Sequence, residues 1–326
     1  MTEISRDVAV KIESIFLPNR AAKIDNIKNR NGRFVHYTSA QNAIKIIQGK
    51  KLLMRNAKCM NDYAEIITGY NYLLDFFHED SDKNKKLFVK TLEPFGKEIA
   101  QNSLSLFDKW WGNIEFNTFI ACISEHAPNE DKHGRLSMWR AYGQSDAKAA
   151  IVLNLPFDQP GATKGLKLIL SPADYDGREG LKRQLYTVID NINNNRSFLL
   201  SMGTEAIITS IFAMLMVMAV SQKHEGFKEE MEWRVIHLPN MNSSKLISSS
   251  IETFNGVPQI VYQIPLKDDE TENVTGVNIP QLVDRIIIGP SEYPFPMHQA
   301  FAAALKDAGV EKAESRVVIS GIPLRT

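Results

Sequence analysis

The chain has 326 residues, and its 38 Lys and Arg balance 38 Asp and Glu, which excludes the global positive field of a sequence-independent DNA binder. Hydrophobic residues at 44% and charged residues at 23% place it among folded globular proteins rather than disordered chains. Two cysteines, Cys59 and Cys122, exclude a disulfide framework and a four-thiolate zinc site, and they suit a reducing cytoplasm.

The amino terminus mixes acidic with apolar residues and lacks the basic-then-apolar order of an export signal. Ser5 to Phe16 is expected to form a leading helix, broken at Pro18 and followed by a polar linker around Asn26 to Gly32. Arg33 to Tyr37 reads as a short strand, with Ser39 capping a helix over Ala40–Gln48 that Gly49 ends. Lys51 to Met54 returns as a strand, and Tyr63 to Phe77 as a helix followed by a charged connector. A helical pattern covers Lys86–Trp111. The apolar, β-rich run Asn117–Ser124 is expected to be a central strand. Ser137–Tyr142 reads as a turn or short helix, Ala149–Leu155 as a strand, and Lys167–Leu170 as another. Helices follow at Gly180–Asn193 and Phe198–Gln222. The second contains the apolar stretch Ala206–Val220, which is shorter than the roughly 20 residues needed to span a bilayer and is expected to be a buried core helix rather than a membrane segment. Strands are expected at Glu232–Leu238, Gln259–Ile264, Val283–Ile288 and Arg316–Ile319, with a helix at Pro296–Ala308 and a polar stretch at Asn240–Ser250. Strands spread along the chain between unequal helices indicate an α+β fold. Residues 1–30 form the leading helix and linker, and residues 31–326 a single domain with helical segments near 63–111 and 180–222.

No phosphate loop, dinucleotide glycine fingerprint, HExxH, nucleophile elbow or CxxC is present. No metal site is expected from the scattered His and Cys. Four clusters place reactive side chains beside apolar strands: His36-Tyr37-Thr38-Ser39; Asn61-Asp62 with Glu65; Cys122–Glu125 followed by Ser137–Gly143; and Glu229–Arg234. Each has a plain structural explanation. His36 can bond backbone at a strand end, Asp62 and Glu65 suit a helix N-terminus, and Trp139, Arg140 and Tyr142 can form a packing and cation–π cluster. Alternation puts Glu230, Glu232 and Arg234 on one strand face, where cross-strand salt bridges are ordinary.

In order along the chain, HYTS with AIKIIQGKKL, MND with Glu65, FIACIS leading to LSMWRAYG, FKEEMEWRVI and IIIGP resemble the bacterial family called domain of unknown function 2971, over roughly residues 33–325. The chain is also remotely similar to the ADP-ribosyltransferase fold, which implies a split β-sheet core, here with a large helical insertion and a leading N-terminal helix. His36-Tyr37-Thr38 resembles the His-containing start of that fold, FIACIS its central strand with Ser124 at the end, and Glu230-Met231-Glu232 its Glu-x-Glu. The usual Ser-Thr-Ser is Cys122-Ile123-Ser124 here, and either Tyr63 or Tyr142 could stack on nicotinamide.

This second resemblance implies that NAD is a substrate. Cleaving its glycosidic bond calls for a carboxylate near the oxocarbenium-like ribose, a role falling to Glu232, with Glu230 serving the acceptor about 6.7 Å away. His36, Tyr37, Thr38, Ser124, Trp139, Arg140 and Tyr142 would hold NAD, with Arg140 or Arg33 on the diphosphate. The implied activity is ADP-ribosyl transfer to a protein or nucleic-acid acceptor, or NAD hydrolysis, in a cytoplasmic toxin or antiviral defence effector with an antitoxin-type partner and no membrane. Two alternatives remain: a non-catalytic nucleotide-sensing or interaction module, and a magnesium-dependent nuclease using Asp62, Glu65, Glu230 and Glu232.

Overall fold

Six separated stretches of chain build two compact units. Unit 1 comprises Met1–Asn26, Ala57–Thr118 and Ser171–Lys228, and unit 2 comprises Ile27–Asn56, Phe119–Leu170 and Glu229–Thr326. The computed structural model describes residues 5–60, 65–79, 82–142, 147–157, 159 and 161–323. The helices are α1 (Arg6–Phe16), α2 (Pro18–Asn29), α3 (Ala40–Gly49), α4 (Glu65–His78), α5 (Lys83–Leu92), α6 (Ile99–Phe116), α7 (Leu136–Ala141), α8 (Gly177–Asn194), α9 (Arg196–Met202), α10 (Thr204–Val220), α11 (Ile279–Leu282) and α12 (Pro294–Asp307). The strands are β1 (Arg33–Ser39), β2 (Lys51–Asn56), β3 (Phe119–His126), β4 (Lys148–Leu153), β5 (Ile169–Pro172), β6 (Glu232–His237), β7 (Ser248–Phe254), β8 (Val257–Pro265), β9 (Val283–Ile288) and β10 (Val317–Ile319).

Unit 1 is helical, so the leading helix and the two helical segments expected as parts of one α+β domain fold together as a unit of their own. Its central helix, α10, is apolar all round and buries Ile211, Met214, Leu215 and Met218, as a helix enclosed by others must. Helix α4 reaches it through Gly69, where a Cβ would stand 2.1 Å from the Ala219 carbonyl oxygen. Tyr70 stacks on Trp111 of α6 at 3.9 Å between ring centroids. The helix expected over Phe198–Gln222 is interrupted at Gly203, whose φ of 83° is costly for any residue with a Cβ, and α9 and α10 meet at a 109° bend. No single helix among the described residues is long and apolar enough to cross a membrane, although this bent pair passes a length-and-composition test together. The leading helix ends before Pro18 as expected, but Pro18 starts a second helix, α2, that runs into the expected linker as far as Asn29, since a first-turn proline loses no helical hydrogen bond.

Unit 2 carries the mixed sheet, in the order β10-β9-β4-β1-β3-β2-β8-β7, with β6 on β3 and β5 on β6. Strand β3 organises it. Along one edge, Phe119–Ser124 pair continuously with β6. A strand has only two edges, so β1, paired at Ser124–His126, and β2, paired at Phe119–Ile120, share the other. They part between those points, leaving a split in the sheet. Helix α3 joins them. Ser39 caps it, and Lys50 rather than Gly49 takes the left-handed position after it (φ 49°). The hairpin strand β7 lies partly inside the Ser/Asn-rich stretch expected to be irregular, and pairing with β8 overrides its poor apolar pattern.

Candidate functional site

The split in the sheet is filled by His36. Its Nδ1 lies 2.9 Å from the Cys122 carbonyl oxygen, at a point where β3 has no strand pairing on that edge. A carbonyl can only accept, so Nδ1 carries the proton and Nε2 keeps its lone pair. Burial holds the imidazole below its ordinary pKa, against the opposing pull of that carbonyl. Nε2 has no hydrogen-bond partner among the described residues.

On this face of the sheet the side chains of His36, Ile123, Ile151 and Val235 border a cavity of about 160 Å³. Leu155, Phe157, Leu166 and Leu168, from the long connection after β4, with Leu170 of β5, Ile264 and Val277, complete most of its wall. Among the described residues, only His36 and Thr163 bring a side-chain polar atom, and no Lys or Arg lines it. His36 is half-buried and lines the cavity. Sequence reasoning found His36 and missed the apolar wall, much of which sits in a segment lacking a sustained strand or helix period. The density of Leu between positions 153 and 170 was the available signal.

Strand alternation separates the expected site residues. Phe34, His36 and Thr38 point to one face, and Arg33, Val35 and Tyr37 to the other. Val35 stands opposite Ser124, which stands opposite Glu232, so Ser124 and Glu232 share the Tyr37 face and the sheet lies between them and His36. His36, Ser124 and Glu232, all expected at one NAD, are therefore not brought together on one face. A one-residue change of register would have been needed to bring them together.

Glu232 is 4% exposed and Arg234 2%, and Arg234 Nε donates to Glu232 Oε1 at 2.8 Å. Glu230 does not share their strand face, because Met231 has a φ of 46° and Glu230 belongs to a preceding 3-10 turn. The carbonyls of Glu229 and Glu230 accept from Arg135 Nη1 at 2.8 and 2.9 Å.

Trp139 is 1% exposed, its ring edge-on to Tyr37 at 4.9 Å and its Nε1 donating to the His133 carbonyl at 2.7 Å. The Tyr37 hydroxyl accepts from the Arg135 backbone N–H at 2.7 Å, and burial pushes its pKa up to about 12. These two rings, expected to hold NAD, instead form a core with Val35, Met138, Ala150, Val152 and Ile287, and Tyr142 packs half-buried against it. Arg140 is exposed on α7, and Arg33 is bound to Asp131 at 2.6 Å and Asp284 at 2.8 Å, which occupies its fork. Thr38 is half-buried on the His36 face.

Asp62 and Tyr63 lie outside the described residues. Glu65 belongs to unit 1 and Glu230 and Glu232 to unit 2, and no group of three or more His, Cys, Asp or Glu among the described residues is placed to hold a metal ion. No protein family, curated protein or solved structure matches the chain, so the resemblances described above rest on their motifs alone.

Proposed function

We propose that unit 2 is a binding module for a small, predominantly apolar molecule held in the cavity beside His36. The observation that carries this reading is the cavity: about 160 Å³ with an aliphatic wall, close to the ~150 Å³ apolar space known to admit a single benzene ring. Among the described residues the wall has no Lys or Arg to offer a charged diphosphate, so the ligand class is apolar rather than nucleotide. Toluene is a suitable probe, because a ligand that binds only the folded state raises its stability by mass action. Toluene is expected to raise the melting temperature of the protein, and Leu168→Trp, which fills the cavity from its wall, to abolish the shift. An unchanged melting temperature at saturating toluene overturns the reading.

A second reading, NAD-dependent ADP-ribosyl transfer to a protein or nucleic-acid acceptor, is favoured by one observation, the parting of β1 and β2 along β3 at His36. It requires Glu232 and His36 to serve one ribose, although the sheet stands between their side chains. Incubation with NAD separates the two readings. The binding module releases no nicotinamide, and Glu232→Gln loses stability because the Arg234 charge is left buried, a type of change that costs about 3–5 kcal/mol. Nicotinamide release that a still-folded Glu232→Gln protein lacks would favour transfer.

A further inference from the structure

Among the described residues, His36 and Thr163 bring the polar side-chain atoms of the cavity wall, and His36 selects among apolar ligands. We infer that His36 Nε2 is the hydrogen-bond acceptor for a hydroxyl-bearing apolar ligand, of the phenol or short alcohol class, bound in the cavity of unit 2. The inference rests on the binding reading above and deepens it.

The chain of reasoning is geometric. The His36 imidazole donates from Nδ1 to the Cys122 carbonyl at 2.9 Å, between the parts of β3 that pair with β1 and with β2. This bond fixes the tautomer, so the opposite ring nitrogen is an acceptor. The His36 ring borders the cavity with Ile123, Ile151 and Val235, and among the described residues Thr163 is the only other polar side chain on the wall. An aliphatic pocket alone would take any ring or chain of the right size. A pocket with a buried imidazole acceptor discriminates, because a purely apolar guest leaves that lone pair unpaired while a guest with one O–H satisfies it. Charged guests and guests with several polar groups are disfavoured, since the described residues of the wall bring no polar side chain beyond His36 and Thr163.

Phenol and toluene, rings of nearly equal size that differ in one donor, provide the test, with dissociation constants measured by titration calorimetry on the full chain. Burying a hydroxyl without a partner costs about tenfold or more in affinity. The inference predicts that phenol binds wild-type protein at least as tightly as toluene, and that the phenol-to-toluene affinity ratio falls about tenfold in His36→Leu, which removes the acceptor. The wild-type comparison stands alone if the variant does not fold. Toluene binding with phenol tenfold or more weaker overturns the donor assignment and leaves the apolar-cavity reading in place. Binding of neither ring overturns both.

Discussion

His36, His126 and His237 are all held below the ordinary imidazole pKa, in each case mainly by burial. In the unfolded chain these groups take up protons near 6.5, whereas in the folded protein they do so only at lower pH. The unfolded state then binds more protons, so stability is complete above that value, falls as the pH drops through it, and levels off once the folded imidazoles protonate. Urea unfolding is expected to show a lower midpoint at pH 5.5 than at pH 7.5, with a shallower dependence in His36→Leu. A midpoint that rises on acidification contradicts the assignment. Trp139 tests the other face of the sheet. Trp139→Ala is expected to cost about 3–5 kcal/mol of stability, as large-to-small core changes do, while leaving the affinity for toluene unchanged. A loss of toluene binding beyond the loss of folded protein would place Trp139 at the ligand.

Among the elements, the contact between α4 and α10 is the most exacting, because Gly69 leaves no room for a Cβ before the Ala219 backbone. Gly69→Ala is expected to destabilise the protein by about 1–3 kcal/mol as the helices are forced apart, read as a lowered urea midpoint. An unchanged midpoint would mean that the contact is looser than described. Strands with strong local patterns were legible in the sequence: β3, β6 and β9 lie within a residue or two of their expected positions, because β-rich apolar runs between polar segments have few other readings. Strand β7 was not, since its Ser-rich sequence forms a strand only through pairing with β8. The break at Gly203 was also missed, an isolated glycine being tolerated in helices and giving no clear stop. Nor could the sequence show which face of the sheet each candidate residue takes. His36 and Glu232 lie on strands not directly paired, and their relative facing depends on the register of β1 against β3 and of β3 against β6. Met231, with its left-handed backbone, removes Glu230 from a face that alternation alone would give it.

For the whole molecule, each unit draws on three stretches of chain, and one of them, unit 2, contains both the split sheet and the cavity. Its two faces have different characters. One packs Tyr37 and Trp139 in a core and carries the buried Glu232–Arg234 pair, and the other borders a small, mainly apolar space with the His36 imidazole. The central claim is that this space is a ligand site, and a crystal structure of the protein soaked with phenol tests it most directly. The account predicts one ring in the cavity against Ile123, Ile151 and Val235, with its oxygen within hydrogen-bond distance of His36 Nε2, about 2.7–3.0 Å. A cavity left unoccupied at saturating phenol, or a ring bound on the Glu232 face instead, would contradict it.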